Sequence, residues 1–195
     1  ASRDLLLVAG MRPTQRAKLI AAGITTIDEL ATSEDAPQNL REQARLQLQA
    51  NGPVPPFQMF APEQIGHLPP PDPGDIFFDF EGDPLYREGH VWGLDYLWGL
   101  VDRDEVFHKW WAHDFEAERQ ALESFLAWVQ ERRQYYPGMH IYHYASYERT
   151  HLLTIAARHG VGEHIVDELL RDEVLVDLYP LVKRSVRVGG RSYSI

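Results

Sequence analysis

Eight of the thirteen prolines fall between Pro53 and Pro73. A segment that dense in proline sustains neither a helix nor a central strand, because each ring fixes φ and removes a backbone donor. The chain is thereby divided. Residues 1–51 are expected to form a helical segment, 52–74 an extended, semi-rigid linker, and 75–195 the main domain. With 195 residues, 44% of them hydrophobic, there is enough apolar material to bury a core.

Composition narrows the class. Nineteen Lys and Arg against 29 Asp and Glu give a net charge of −10. That weighs against a nucleic-acid coat protein, but an enzyme that cuts nucleic acid needs carboxylates for metals and only a local basic path. There is no cysteine, so disulfides, Cys-based zinc sites and thiol nucleophiles are excluded, in keeping with a reducing compartment. No apolar run approaches the ~18 residues of a membrane span, and the first residues lack a signal-peptide layout. The expectation is a cytoplasmic protein with no membrane partner.

Within residues 1–51, three short helices are expected. Pro13 suits a first turn, Gly23 a helix stop, and Thr25 and Thr26 can cap the segment that follows. The stretch from Val8 to Leu19, followed by Gly23-Ile-Thr-Thr, resembles a helix-hairpin-helix unit, whose glycine-rich turn offers N–H groups to a phosphate. Arg12 stands where the second hairpin glycine is usual. A packing or protein-interaction role for this bundle remains open beside DNA contact.

After the prolines the hydrophobic period changes. Residues 75–81, 91–101 and 105–111 read as three strands joined by short turns. Residues 115–133 carry the 3.6-residue pattern of an amphipathic helix. A strand near 140–145, helices near 146–159 and 163–170, a strand at 174–177 and a helix from about Pro180 follow. This order is the layout of an α/β, ribonuclease H-like mixed sheet with flanking helices.

The candidate chemistry begins with Asp79 and Glu81. Two residues apart in a strand, they project from one face while Phe78 and Phe80 point into the core. Like charges so placed repel, and a divalent cation between them removes the penalty; hard oxygen ligands suit Mg²⁺ or Mn²⁺. Because the strand is otherwise apolar, the two carboxylates are expected near a buried sheet centre, where something must compensate them. Gly82 lets another group approach closely. His143 and Glu148 lie where a strand gives way to a helix; Glu148 also suits a helix first turn capped by Ser146.

Asp79-Phe-Glu-Gly-Asp-Pro84, Trp110-Trp-Ala-His-Asp114, His140-Ile-Tyr-His-Tyr-Ala-Ser-Tyr-Glu148 and Val174-Leu-Val-Asp-Leu-Tyr179 together resemble the ribonuclease H-like domain of bacterial RecB-family nuclease and helicase-associated proteins, the YprB-type branch of the DEDD exonuclease superfamily. The resemblance covers residues 75–195. It implies two-metal hydrolysis of phosphodiester bonds, with Mg²⁺ or Mn²⁺, as a 3′–5′ DNA exonuclease of repair or recombination. It implies that Asp79, Glu81 and Glu148 are catalytic metal ligands, Glu148 replacing the usual Asp and His143 the usual Asn. Asp177 is a further candidate at the metal site, as a ligand or as a support behind it. The partners implied are DNA and the helicase and RecB-like nuclease parts of a longer polypeptide. The family's final motif, an aromatic or His followed by Asp on a later helix, is not seen after Asp177, so the chain is expected to be a piece of a longer protein. A noncatalytic, nucleic-acid-binding or scaffolding module is the alternative.

Tyr147 is the best candidate to stack on a base, with His143 beside it. Lys183, Arg184, Arg187 and Arg191 offer a phosphate track, or a solvated helix face. His140 and His143 lie three apart in a strand, on opposite faces, and do not make a zinc pair. The five tryptophans, Trp92, Trp98, Trp110, Trp111 and Trp128, are expected mainly in the core. No phosphate-binding Gly-Lys-Ser or Gly-Lys-Thr loop is present.

Overall fold

The structure is a computed structural model, and it describes residues 3–193. In chain order the helices are α1 (Pro13–Ala21), α2 (Ile27–Thr32), α3 (Gln38–Leu48), α4 (Phe115–Tyr135), α5 (Tyr147–His159), α6 (Glu163–Arg171) and α7 (Leu178–Ser185). The strands are β1 (Phe57–Met59), β2 (Ile76–Glu88), β3 (Val91–Asp102), β4 (Phe107–Trp111), β5 (Ile141–His143), β6 (Leu175–Asp177) and β7 (Val186–Val188). Among the described residues they form two compact units, residues 3–68 with 181–193, and residues 69–180.

The first unit is built on α1 to α3. Pro13 opens α1, and the Arg12 N–H donates to Gln15 Oε1 at 3.0 Å. Thr26 caps α2 by accepting from the Glu29 N–H, while the Glu29 carboxylate accepts the N–H groups of Thr25 and Thr26. Leu5, Leu19, Ile27, Leu30, Leu40 and Ala44 close its core. In the glycine turn, the Ala9 N–H donates to Gln47 Oε1 at 2.8 Å and the Met11 N–H to the Val8 carbonyl at 3.1 Å. With the Arg12 donor also engaged, these three N–H groups are not presented to a phosphate.

The proline-rich stretch is more structured than a plain linker. It supplies β1, which pairs antiparallel with β7 in the register Phe57↔Val188, Gln58↔Arg187 and Met59↔Val186, and a 3₁₀ turn at Pro62–His67. A three-residue strand in a two-stranded sheet needs few donors, so flanking prolines are tolerated. The pairing also takes residues 181–193 into the first unit instead of continuing the main domain. A contact of such sequence separation leaves no local signal.

The second unit is a five-stranded mixed sheet in the order β4-β3-β2-β5-β6. Strands β2, β3 and β4 form an antiparallel meander, and β5 and β6 extend it in parallel with β2. Alternation along β2 buries Ile76, Phe78 and Phe80 against α4 and α5. Phe78 stacks on Phe125 at 4.4 Å and Phe80 meets Trp98 edge-on at 4.5 Å; such aromatic pairs each contribute ~0.5–1.5 kcal/mol beyond area burial. Asp114 caps α4 by accepting the Ala117 N–H at 2.7 Å, and Gly160 ends α5 with φ +62°. This is the α/β, ribonuclease H-like arrangement expected from the strand and helix order. Of the tryptophans, Trp98, Trp110 and Trp128 join the core, whereas Trp92 and Trp111 are exposed.

Candidate functional site

The period of β2 sets Asp79 and Glu81 on the face opposite Phe78 and Phe80. Both acids are exposed, so the expectation of a buried sheet centre is corrected: only one face of β2 is buried. Asp79 Oδ1 accepts the Phe80 N–H at 2.9 Å, and Asp79 pairs in register with Gly99.

Glu148 comes from the first turn of α5 and is 2% exposed. Its Oε2 lies 3.1 Å from His143 Nδ1, which is also 2.7 Å from the Ala145 carbonyl. A carbonyl only accepts, so the proton sits on Nδ1, and the imidazole donates to the carbonyl and the carboxylate together. His143 is buried. It therefore holds Glu148 and offers no surface to a nucleic acid, which corrects its expected role as a contact.

Asp79 is pushed above its ordinary carboxyl range, first by partial burial, then by the hydrogen bond and charge of Glu148, and to a smaller extent by Glu81. Among the described residues no lysine or arginine pairs with these three acids; Glu148 has only His143. Negative charge collects here without a fixed countercharge.

Asp177 does a different job. Its Oδ1 accepts the N–H groups of Ala145 and Tyr179, both at 2.9 Å, and it pairs in register with His143 across β5 and β6. Ala145 has φ +72°, a left-handed conformation costly for a residue with a Cβ. Asp177 thus clamps the turn between β5 and α5 that sets His143 and Glu148. With one oxygen committed to two backbone donors, it fits a support behind the acids better than a ligand. The Ser146 side chain makes no capping bond, so the turn rests on Asp177 instead of the expected cap.

Tyr147 is 40% exposed, and its hydroxyl donates to Asp95 Oδ1 at 3.0 Å. Asp95 is 2% exposed and also accepts from His151 Nδ1, at 2.7 Å on Oδ2. The rings of Tyr147 and His151 stack at 3.7 Å. A Cβ on Gly82 would lie 2.5 Å from the Tyr147 hydroxyl and 2.9 Å from Asp95 Oδ1, so only glycine lets these groups sit over β2. Asp95 and His151 were not singled out from the sequence. The register shift between Glu81 and Gly82 leaves Tyr96 as an extra residue on β3 and breaks the alternation that would have turned Asp95 outward.

Lys183 and Arg184 lie on α7. Arg187, expected on a phosphate track, is buried: its Nη1 donates to Glu42 Oε2 at 2.6 Å and Gln58 Oε1 at 3.0 Å, and its guanidinium lies over Phe60. It ties β7 to α3 and β1, and does not face solvent as that expectation required.

Among the described residues, no group of three or more His, Asp or Glu side chains is gathered closely enough to enclose a metal ion. The chemistry of the donors nonetheless suits a hard cation. They are carboxylate oxygens, and among the described residues no lysine or arginine pairs with them. Asp79 and Glu148, with Glu81 beside them, fit a cation as a partial donor set.

Residues 76–195 match a family model of the RNase H superfamily. No match was found among curated proteins or among solved structures.

Proposed function

The chain belongs to the RNase H superfamily, and on that premise we propose that it is a divalent-cation-dependent nuclease with Asp79, Glu81 and Glu148 as its cation-binding carboxylates. The observation that carries the reading is the meeting of Asp79 with Glu148 beside Glu81, a concentration of negative charge without a basic partner. Mg²⁺ or Mn²⁺ bound there, two ions in a complete site, supplies Lewis-acid activation of water and charge neutralisation at the leaving oxygen.

The chain's own residues do the positioning. His143 fixes the rotamer of Glu148 through Nδ1. Asp177 holds the strained turn that carries both. Glu81 and Asp79 share the exposed face of β2 and are open to a backbone phosphate. Lys183 and Arg184 are proposed phosphate contacts, worth about one unit each of salt-dependence slope.

At finer grain, the proposed activity is 3′–5′ exonucleolytic cleavage of DNA in repair or recombination, in a DEDD-type domain of the YprB kind found with helicase and RecB-like nuclease parts. The motif set from Asp79 to Asp177 supports this. The noncatalytic alternative rests on Glu148, which stands where the motif usually carries Asp.

The test is incubation of single- and double-stranded DNA and RNA, labelled at either end, with the protein and Mn²⁺ or Mg²⁺. Release of mononucleotides from the 3′ end of DNA, lost with chelator and in Asp79→Asn, is the expected result. Salt-sensitive binding with no cleavage under any condition is the result of the noncatalytic module.

A further inference from the structure

Asp95 is a carboxylate taken almost wholly out of water, and such a group is costly unless its oxygens are satisfied. Both are. Oδ1 accepts from the Tyr147 hydroxyl and Oδ2 from His151 Nδ1. One side chain thus anchors two rings that also stack on each other.

Three local features serve this arrangement. The irregularity between Glu81 and Gly82 turns Asp95 inward, the absence of a Cβ at Gly82 clears the space, and His151 covers a face of the Tyr147 ring. A tyrosine anchored so thoroughly for packing alone would be buried. This one is 40% exposed. It directly precedes Glu148 in α5. The outcome is a ring immobilised at its polar end and open at the edge of the acidic site.

We infer that Asp95 is a positioning residue, which fixes Tyr147 as the platform on which the terminal base of a single-stranded DNA end stacks while its phosphate meets Asp79, Glu81 and Glu148. This rests on the nuclease reading for the fate of the phosphate, but not for the stacking. Stacking on an aromatic side chain tolerates any base, since each has a π-face. Asp95 contributes by sparing the ring the loss of rotational freedom on binding, the general advantage of a pre-organised contact.

The probe is a short single-stranded DNA oligonucleotide carrying 2-aminopurine at its 3′ or its 5′ terminal position, a base whose fluorescence is quenched by stacking. Binding is read with chelator present, and hydrolysis separately with Mn²⁺. The wild type is expected to quench the probe. Tyr147→Leu should abolish the quench and raise KM by about tenfold or more, with kcat changed less. Tyr147→Phe keeps the ring and loses the tether, and should fall between the two. Asp95→Asn can accept from only one of its two partners, and should resemble Tyr147→Phe. A thermal melt of each variant separates these effects from unfolding, and Tyr147→Phe carries the test if Asp95→Asn does not fold.

Hydrolysis by the wild type with the quench and KM unchanged in Tyr147→Leu overturns the platform and leaves the nuclease standing. A Tyr147-dependent quench without hydrolysis does the reverse. Neither quench nor hydrolysis overturns both.

Discussion

His143 and Glu148 meet at 3.1 Å across the turn between β5 and α5, and both side chains are 2% exposed. The imidazole donates through Nδ1, so the carboxylate is held without being neutralised by a lysine or arginine. A partner placed behind a metal ligand in this way typically matters 10- to 100-fold. His143→Ala is therefore expected to lower Mn²⁺ affinity and nuclease rate by about that factor. His143→Asn, whose amide N–H can replace the donor, should recover part of the loss. Calorimetric titration and end-labelled DNA cleavage check both.

The turn itself stores strain. Ala145 is left-handed at φ +72° and Asp177 pins it by accepting its N–H. Ala145→Gly should raise stability by about 0.5–1 kcal/mol, the relief of the Cβ contact exceeding the added freedom of the unfolded chain. Asp177→Ala strands two backbone donors and should cost about 1–3 kcal/mol. Urea denaturation of the two variants measures the difference in sign.

Much of this was legible because it is local. The alternation from Ile76 to Glu81 names the buried and open faces of β2, and the spacing of Leu122, Phe125, Leu126 and Val129 names the inner face of α4. Asp95 was not legible, because the bulge opposite Glu81 and Gly82 reverses the face on which it stands. Nor was Arg187. In the sequence it belongs to a basic run, and only the pairing of β1 with β7 brings Gln58 to it. The His143 and Glu148 contact lies between: the strand-to-helix spacing suggested that the two are neighbours, but not that His143 is buried.

Arg187 provides a sharp contrast between a structural and a DNA-facing cation. Removing one partner of a buried, hydrogen-bonded ion pair costs about 3–5 kcal/mol, and Glu42 here is partly open to water, which places Arg187→Ala nearer about 2–3 kcal/mol. A lowered melting temperature is expected. An unchanged melting temperature with a reduced salt slope of DNA binding is the outcome that would fit a surface contact instead.

Asp79 ties stability to pH. Its carboxyl is raised from the ordinary 3.8 in the folded protein, so the folded state keeps the proton to higher pH than the unfolded chain does. The contribution of Asp79 is then most favourable at low pH and is lost as pH rises from 3.8 through the folded-state value. Asp79→Asn, which cannot ionise, removes that loss. Without divalent cations it should be more stable than the wild type at neutral pH, and this advantage should vanish in acid. Paired thermal melts across pH, with chelator present, test the sign.

The most direct measurement of the central claim is a calorimetric and thermal-shift titration of Mn²⁺ and Mg²⁺ into the wild type and Asp79→Asn. A cation that occupies the site Asp79, Glu81 and Glu148 provide should stabilise the wild type by about 2.7 kcal/mol at a hundredfold excess over its Kd. It should also release a proton near the raised Asp79 titration, and do neither in the variant. Equal responses of the two proteins, or no response in either, would contradict the assignment of these acids as a cation site.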